Sequence, residues 1–257
     1  MTKEVGNNRC IVLTVAYDGS GFYGFQSQAG TGLPTIQESL ENAIHKLTGE
    51  RLSVEGSGRT DTGVHAWGQV VHFFSTNAIP PERWKLALIP YLPESIVIRE
   101  SHEADIGFHA RFSAKKKTYL YQFYNAPTPS PFYRRFAYHV RYALDLPAMR
   151  EACLGFEGSH DFRAFCAAGA KVKSFVREIR SCRLHEEGPL LTLSVSGNGF
   201  LWHMVRIIAG TLLKVGAGKR KPEDIPLLLA SGDRRRAGPT LPPHGLILHS
   251  VEYEADV

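Results

Sequence analysis

Apolar positions in this chain fall into short runs separated by glycine, proline and charge, and the period of each run predicts an element. The first is a strand, Ile11 to Tyr17. A polar, glycine-rich stretch follows, and then Ile36, Leu40, Ala43, Ile44 and Leu47 recur at helical spacing. Thr35 and Glu38 have the spacing of a capping box. In that motif the threonine hydroxyl accepts from a first-turn N–H and the glutamate reaches back to the cap residue's own N–H, which starts the helix at Thr35. Beyond an extended stretch from Leu52 and a glycine-rich turn, the pattern predicts a strand at Gly68 to Phe74, a short helix near Glu82 to Leu92 and a strand at Ile96 to Arg99. The second half runs through a strand Thr118 to Tyr124, a helix Pro147 to Leu154, and paired strands at Phe175 to His185 and Leu190 to Ser196. It ends with helices Leu201 to Val215 and Pro222 to Ala230 and a last strand Leu246 to Tyr253.

That order predicts an α+β fold. No residue-level repeat relates the halves, yet each fits a split β-α-β, ferredoxin-like unit, residues 1–110 and 111–257. Their largely antiparallel strands are expected to join into one continuous mixed sheet with helices on one side, leaving the other face as a floor for a ligand. The length, 257 residues, suits one large domain or two small ones at roughly 100 to 200 residues each. No apolar run approaches the ~20 residues that span a bilayer. The start, MTKEVGNNRC, lacks the basic-then-apolar order of a signal peptide. Both features predict a soluble, cytoplasmic protein. Cys10, Cys153, Cys166 and Cys182 form no CxxC pair and are expected to be reduced and mostly buried.

Charge narrows the partner. The net charge is +5 and the pI near 9.0, which favours a polyanion. Lys115 to Lys117, Lys219 to Lys221, Arg234 to Arg236, Arg134 with Arg135, and Lys171 with Lys173 concentrate the cations. Taken singly, each cluster reads more simply as a solvated loop.

Five segments are candidates for chemistry. Gly19 to Gly24 spells GxGxxG after a strand, but no helix can begin before Thr35, so the dinucleotide reading fails. Its aromatic loop suits packing against bases, closing a pocket, or simply a glycine-rich hairpin. Gly56 to Ala66 brackets one carboxylate, Asp61, with glycines beside Arg59. It has no Gly-Lys-Ser/Thr ending for a phosphate loop, and His65 and His72 have no companions that would make a metal site. Asp61 is either a catalytic carboxylate or an Asx-turn residue tied to Arg59. Arg206 lies in the middle of a largely apolar helix, expected to be buried, where an unpaired guanidinium costs several kcal/mol. It is expected to meet a carboxylate or a phosphate, with Asp61 the natural partner and His203 pointing to the same space, the alternative being a side chain that snorkels to solvent. Tyr119, Tyr121 and Phe123 share one strand face, as base-stacking residues do on RNA-binding sheets and as core residues do more often. Ala237 to Leu246 is a proline-stiffened loop that suits a pocket wall.

In order, YDGSGFYGFQSQ, GSGRTDTGVHAWGQVVHF, FHARFSAKKKTYLYQFYN, GNGFLWHMVRIIAGTLLKVGAGK and AGPTLPPHGLIL resemble the tRNA pseudouridine synthase A family, from about Cys10 to Tyr253. Ser57 and the stretch Ile89 to Pro93 depart from its usual pattern. The resemblance implies an isomerase that converts uridine to pseudouridine at positions 38, 39 and 40 of the tRNA anticodon arm, as a homodimer without cofactor or metal. It implies Asp61 as the catalytic carboxylate, Arg59 beside it, Tyr119 as the tyrosine that stacks on uracil, and Arg206 as the salt-bridge partner of Asp61. Leu246, His203, Lys115, Lys117 and Arg234 are the expected substrate-binding residues. Two rivals remain: a non-catalytic RNA-binding protein using the same basic surface, and a hydrolase built on Cys166, His160 and Asp161.

Overall fold

The computed structural model describes residues 8–27, 32–170 and 172–254; Lys171 of the cationic clusters lies outside them. Two compact units make up the chain, Met1–Lys115 with Leu248–Val257, and Lys116–Ile247. The first contains β1 (Arg9–Tyr17), α1 (Ile36–Thr48), β2 (Glu55–Gly56), β3 (His65–Ser75), α2 (Trp84–Ala87) and β4 (Ile96–Ala104). The second contains β5 (Lys116–Asn125), β6 (Tyr138–Val140), α3 (Leu146–Leu154), β7 (Gly158–Asp161), β8 (Val176–Glu187), β9 (Leu190–Gly197), α4 (Met204–Gly216) and α5 (Asp224–Ser231). The last strand, β10 (Leu246–Glu252), begins in the second unit and carries the chain back to the first. The α+β class and the mixed, mostly antiparallel pairing are as the apolar pattern predicts.

In the first unit the strand order is β4-β1-β3-β10, with β2 also on β3. Strand β1 is antiparallel to both neighbours, Leu13 facing Val71 on one side and Ser101 on the other. It is apolar on both faces because both are covered. On one face Trp84 of α2 packs edge-on against Phe73, ring centroids 5.1 Å apart. On the other, Cys10, Val12 and Val70 meet Phe108 and Ala110 from the segment after β4. Helix α1 begins at the predicted cap, with Glu38 N–H donating to Thr35 Oγ1 and Thr35 N–H to Glu38 Oε2. Ile36, Leu40, Ala43 and Ile44 are its buried stripe.

The second unit has the order β5-β9-β8-β7, antiparallel throughout, with β6 parallel to β5. Helices α3 and α4 approach so closely that a Cβ on Gly216 would stand 2.5 Å from Met149 Sδ.

Three local expectations change. The helix near Glu82 to Leu92 is broken into 3-10 turns on either side of α2, and past α2 Pro90 lacks the N–H that a continuous helix needs. Helix α4 starts at Met204 rather than Leu201, since His203 adopts φ 61° and serves as its N-cap. The short strands β6 and β7 escape prediction because YHV and GSHD show no apolar period. All four cysteines are free and buried.

Candidate active site

Asp61 sits half-buried on the loop between β2 and β3, and neighbouring residues of the first unit fix that loop. Asp61 C=O accepts from Val64 N–H at 3.1 Å, closing a turn in which Gly63 supplies φ 76°. On the N-terminal side, Ser57 Oγ donates to Gln69 Oε1 at 2.6 Å and Gln69 Nε2 donates to Gly58 C=O at 2.8 Å. Thr60 is held twice, its hydroxyl 2.7 Å from Tyr17 Oη and its C=O accepting from Phe25 N–H at 3.0 Å. Burial pushes the Tyr17 phenol up to about 12, opposed by its Thr60 hydrogen bond, so it stays neutral at physiological pH. On the C-terminal side, buried His65 accepts Gly19 N–H at Nδ1, 3.1 Å. That same nitrogen lies 3.2 Å from Asp18 Oδ1.

The GxGxxG segment now has a physical explanation. A Cβ on Gly19 would fall 2.0 Å from Val64 C=O, and one on Gly24, at φ 79°, 2.7 Å from Thr60 C=O. The glycines let this loop lie against the backbone of the Asp61 loop. They are a cradle, and their close packing is what the sequence leaves unspecified. Arg59 is exposed.

In the second unit the aromatic face of β5 divides. Tyr121 is fully buried and its hydroxyl donates to Pro242 C=O at 2.9 Å, with burial holding the phenol far above its usual range. That fixes Tyr121 as core. Tyr119 keeps 9% exposure, edge-on to Phe200 at 5.0 Å. Arg206 is half-buried on α4, and its Nε donates to Leu241 C=O at 2.6 Å. Leu241 belongs to the proline-stiffened loop, which packs directly on the helix: a Cβ on Gly210 would meet Pro239 C=O at 2.0 Å, and Gly238 N–H donates to Thr211 Oγ1 at 2.8 Å. His203 stands outside α4 as its cap, the sole non-glycine with positive φ among the described residues. It therefore does not share a helical face with Arg206.

Leu246 is buried where β10 begins. Arg234 braces the proline loop, donating to Gly238 C=O at 2.9 Å and to Thr240 Oγ1 at 3.0 Å. Arg235 pairs with Asp233 at 2.9 Å and Lys115 with Glu254 at 2.7 Å. Lys117 is half-buried on β5. The hydrolase alternative loses its footing, because burial raises the Cys166 thiol, His160 Nε2 bonds Glu157 C=O at 2.7 Å, and Asp161 accepts from Arg163 N–H at 2.8 Å. Among the described residues no group of three His, Cys, Asp or Glu is placed to hold a metal ion, and no helix is long and apolar enough to cross a membrane.

Comparison with known proteins adds a family. The model of a family described as tRNA pseudouridine synthase matches residues 13–113 and 152–254. A tRNA pseudouridine synthase A from Syntrophomonas wolfei is 49% identical over 246 residues, covering 96% of this chain and 98% of that one. Proteins of the same name from Moorella thermoacetica and Bacillus velezensis are 46% and 48% identical, over 95% and 94% of this chain and 99% and 98% of theirs. Among solved structures, a chain of a Cbf5-Nop10-Gar1 complex overlaps with a TM-score of 0.34 at 15% identity, over 79% of this chain and 45% of that one, a likeness too slight to bear on the fold. By the breadth of the family match and the identity of its relatives, the chain belongs to the tRNA pseudouridine synthase family.

Proposed function

We propose that this tRNA pseudouridine synthase acts at positions 38, 39 and 40 of the anticodon arm, with Asp61 as its catalytic carboxylate, as a cytoplasmic homodimer needing neither cofactor nor metal. The reaction breaks the N1–C1′ bond of uridine, turns the uracil over and joins C5 to C1′. A proton leaves C5 and one is gained at N1, so no electrons enter or leave. One carboxylate suffices at the sugar. Asp61 either attacks C1′ to form a covalent intermediate or removes the C2′ proton.

The other residues follow from this role. Arg206 is the proposed charge partner that keeps Asp61 ionised. Its half-buried guanidinium in an apolar helix supports that role, since such a charge is stable only when partnered. Tyr119 stacks on the uracil and assists loss of the C5 proton. Tyr121 has no spare surface for the task. The target uridine leaves its stack to reach the carboxylate, Arg59 occupies the vacated space, and His203 and Leu246 line the pocket. Lys115, Lys117 and Arg234 complete the phosphate grip. In this reading residues 1–110 supply the carboxylate, and residues 111–257 the tyrosine and the arginine.

The observation that carries the proposal is the set of hydrogen bonds and close contacts that hold the Asp61 loop. Bonds from Tyr17, Phe25 and Gln69, and close glycine packing, fix a loop whose one carboxylate is only half-buried. The test is Asp61→Asn on unmodified tRNA transcripts, with pseudouridine mapped by chemical labelling. Product should vanish while tRNA binding persists. Turnover by the variant, or product outside positions 38 to 40, would reject the assignment.

A further inference from the structure

Two irregularities in the sheet of the first unit bring one tryptophan and one arginine together. Between the pairs Val15↔Gln69 and Tyr17↔Ala66, Ala16 of β1 is faced by two residues of β3, Trp67 and Gly68. Between Thr14↔Glu100 and Val15↔Ile98, β4 carries one extra residue, Arg99. Each is a bulge, a device that re-aims a side chain at the expense of one ladder position. The result is a cation–π contact, with the Arg99 guanidinium carbon 4.4 Å from the indole centroid. Arg99 Nη1 also donates to Trp67 C=O at 3.2 Å. Trp67 nevertheless remains 53% exposed, with Val97, 52% exposed, opposite Ala16 beside it.

This pair lies on the sheet face whose far end is covered by Phe108 and Ala110. The position is close to the Asp61 loop in sequence and space, since that loop feeds directly into β3 and Trp67 is the third residue of that strand. We propose that Trp67 and Arg99 are a stacking site for the base of a tRNA nucleotide adjoining the target uridine, an inference that rests on the proposed function. The indole offers an exposed π surface in a fixed orientation, and sequence-tolerant stacking is how proteins hold unpaired bases. Arg99 locks the ring from the other side and supplies positive charge for a neighbouring phosphate. Beside Trp67 the register places two apolar side chains, half-buried Ala16 and exposed Val97, next to the charged Arg99 and Glu100. That suits one base better than the broad apolar core of a protein interface.

The test combines turnover with indole fluorescence on unmodified tRNA transcripts. Trp67→Ala should lower kcat/KM about tenfold, mainly through KM, and Trp67→Phe should restore most of it. Arg99→Gln should weaken binding and flatten its salt dependence. Titration with tRNA should quench wild-type emission, and Trp67→Phe should lose most of that quench while still binding. Unchanged kcat/KM in Trp67→Ala, an undiminished quench in Trp67→Phe, or loss of self-association in place of RNA affinity would overturn the stacking site. If Trp67→Ala fails to fold, the Trp67→Phe quench decides. Wild-type enzyme making no pseudouridine would instead refute the proposed function and leave the fluorescence result standing on its own.

Discussion

At the scale of single residues, glycine placement sets the position of the candidate carboxylate. A Cβ on Gly19 collides with Val64 C=O, whereas one on Gly21, two residues on, meets nothing within 4 Å. Gly19→Ala should therefore lower kcat by tenfold or more, since a displacement of about 1 Å can cost ~10²-fold, and Gly21→Ala should turn over as wild type. Steady-state kinetics on tRNA transcripts compares the two. A second residue-level prediction concerns His72, which is buried and accepts Ala110 N–H at Nδ1, 3.3 Å. Burial, then the neighbouring His109, lowers its pKa below the ordinary value. A lowered folded-state pKa means the unfolded chain binds the proton more readily. Its contribution to stability is thus complete above about pH 6.5 and is lost as pH falls through that value towards the folded pKa. His72→Asn keeps an acceptor but cannot titrate, so its melting temperature should fall less than that of the wild type between pH 7.5 and 5.5. The candidates Asp61 and Arg206 stand out in the sequence because an acid bracketed by glycines, or a cation in the middle of a largely apolar helix, contrasts with its background, whereas Tyr119 is set apart from Tyr121 only by the family resemblance. Tyr17, Thr60 and Gln69 do not stand out, because a buried hydrogen bond between distant positions leaves no local pattern.

At the scale of elements, α4 and the proline loop behave as one structure. Gly210 and Gly238 permit the contact, Thr211 Oγ1 satisfies Gly238 N–H, and Leu241 C=O holds Arg206 Nε. Thr211→Val removes a buried acceptor, so it should cost about 1–3 kcal/mol in urea unfolding. Thr211→Ser should remain near wild type. Strong apolar periods made α1 and the long strands readable. Helix α4 was readable in its body but not at its start, because the left-handed turn at His203 depends on local geometry that residue spacing does not encode. The helix expected near Glu82 to Leu92 is continuous only over α2, because Pro90 interrupts an apolar period too short to resist it.

At the scale of the whole molecule, the basic balance is less uniform in effect than the counts suggest. Arg235 is engaged by Asp233, which that guanidinium holds down at a pKa of about 2, and Arg234 by the loop it braces. A cation that meets phosphate steepens the salt dependence of binding, by about 0.7 to 0.9 per contact in a log–log plot. Lys117→Gln should flatten the slope by that amount, whereas Arg234→Gln should also lower the melting temperature. Binding isotherms at several salt concentrations together with thermal melts distinguish the two effects. Chain order has a separate consequence. The first unit is closed by β10, which the chain reaches only after passing through the second unit, so β3 keeps part of one edge open on the ribosome until the segment up to Glu252 has emerged. A fragment ending at Lys115 should accordingly be prone to aggregate, and a covalently appended copy of residues 248–254 should rescue its solubility.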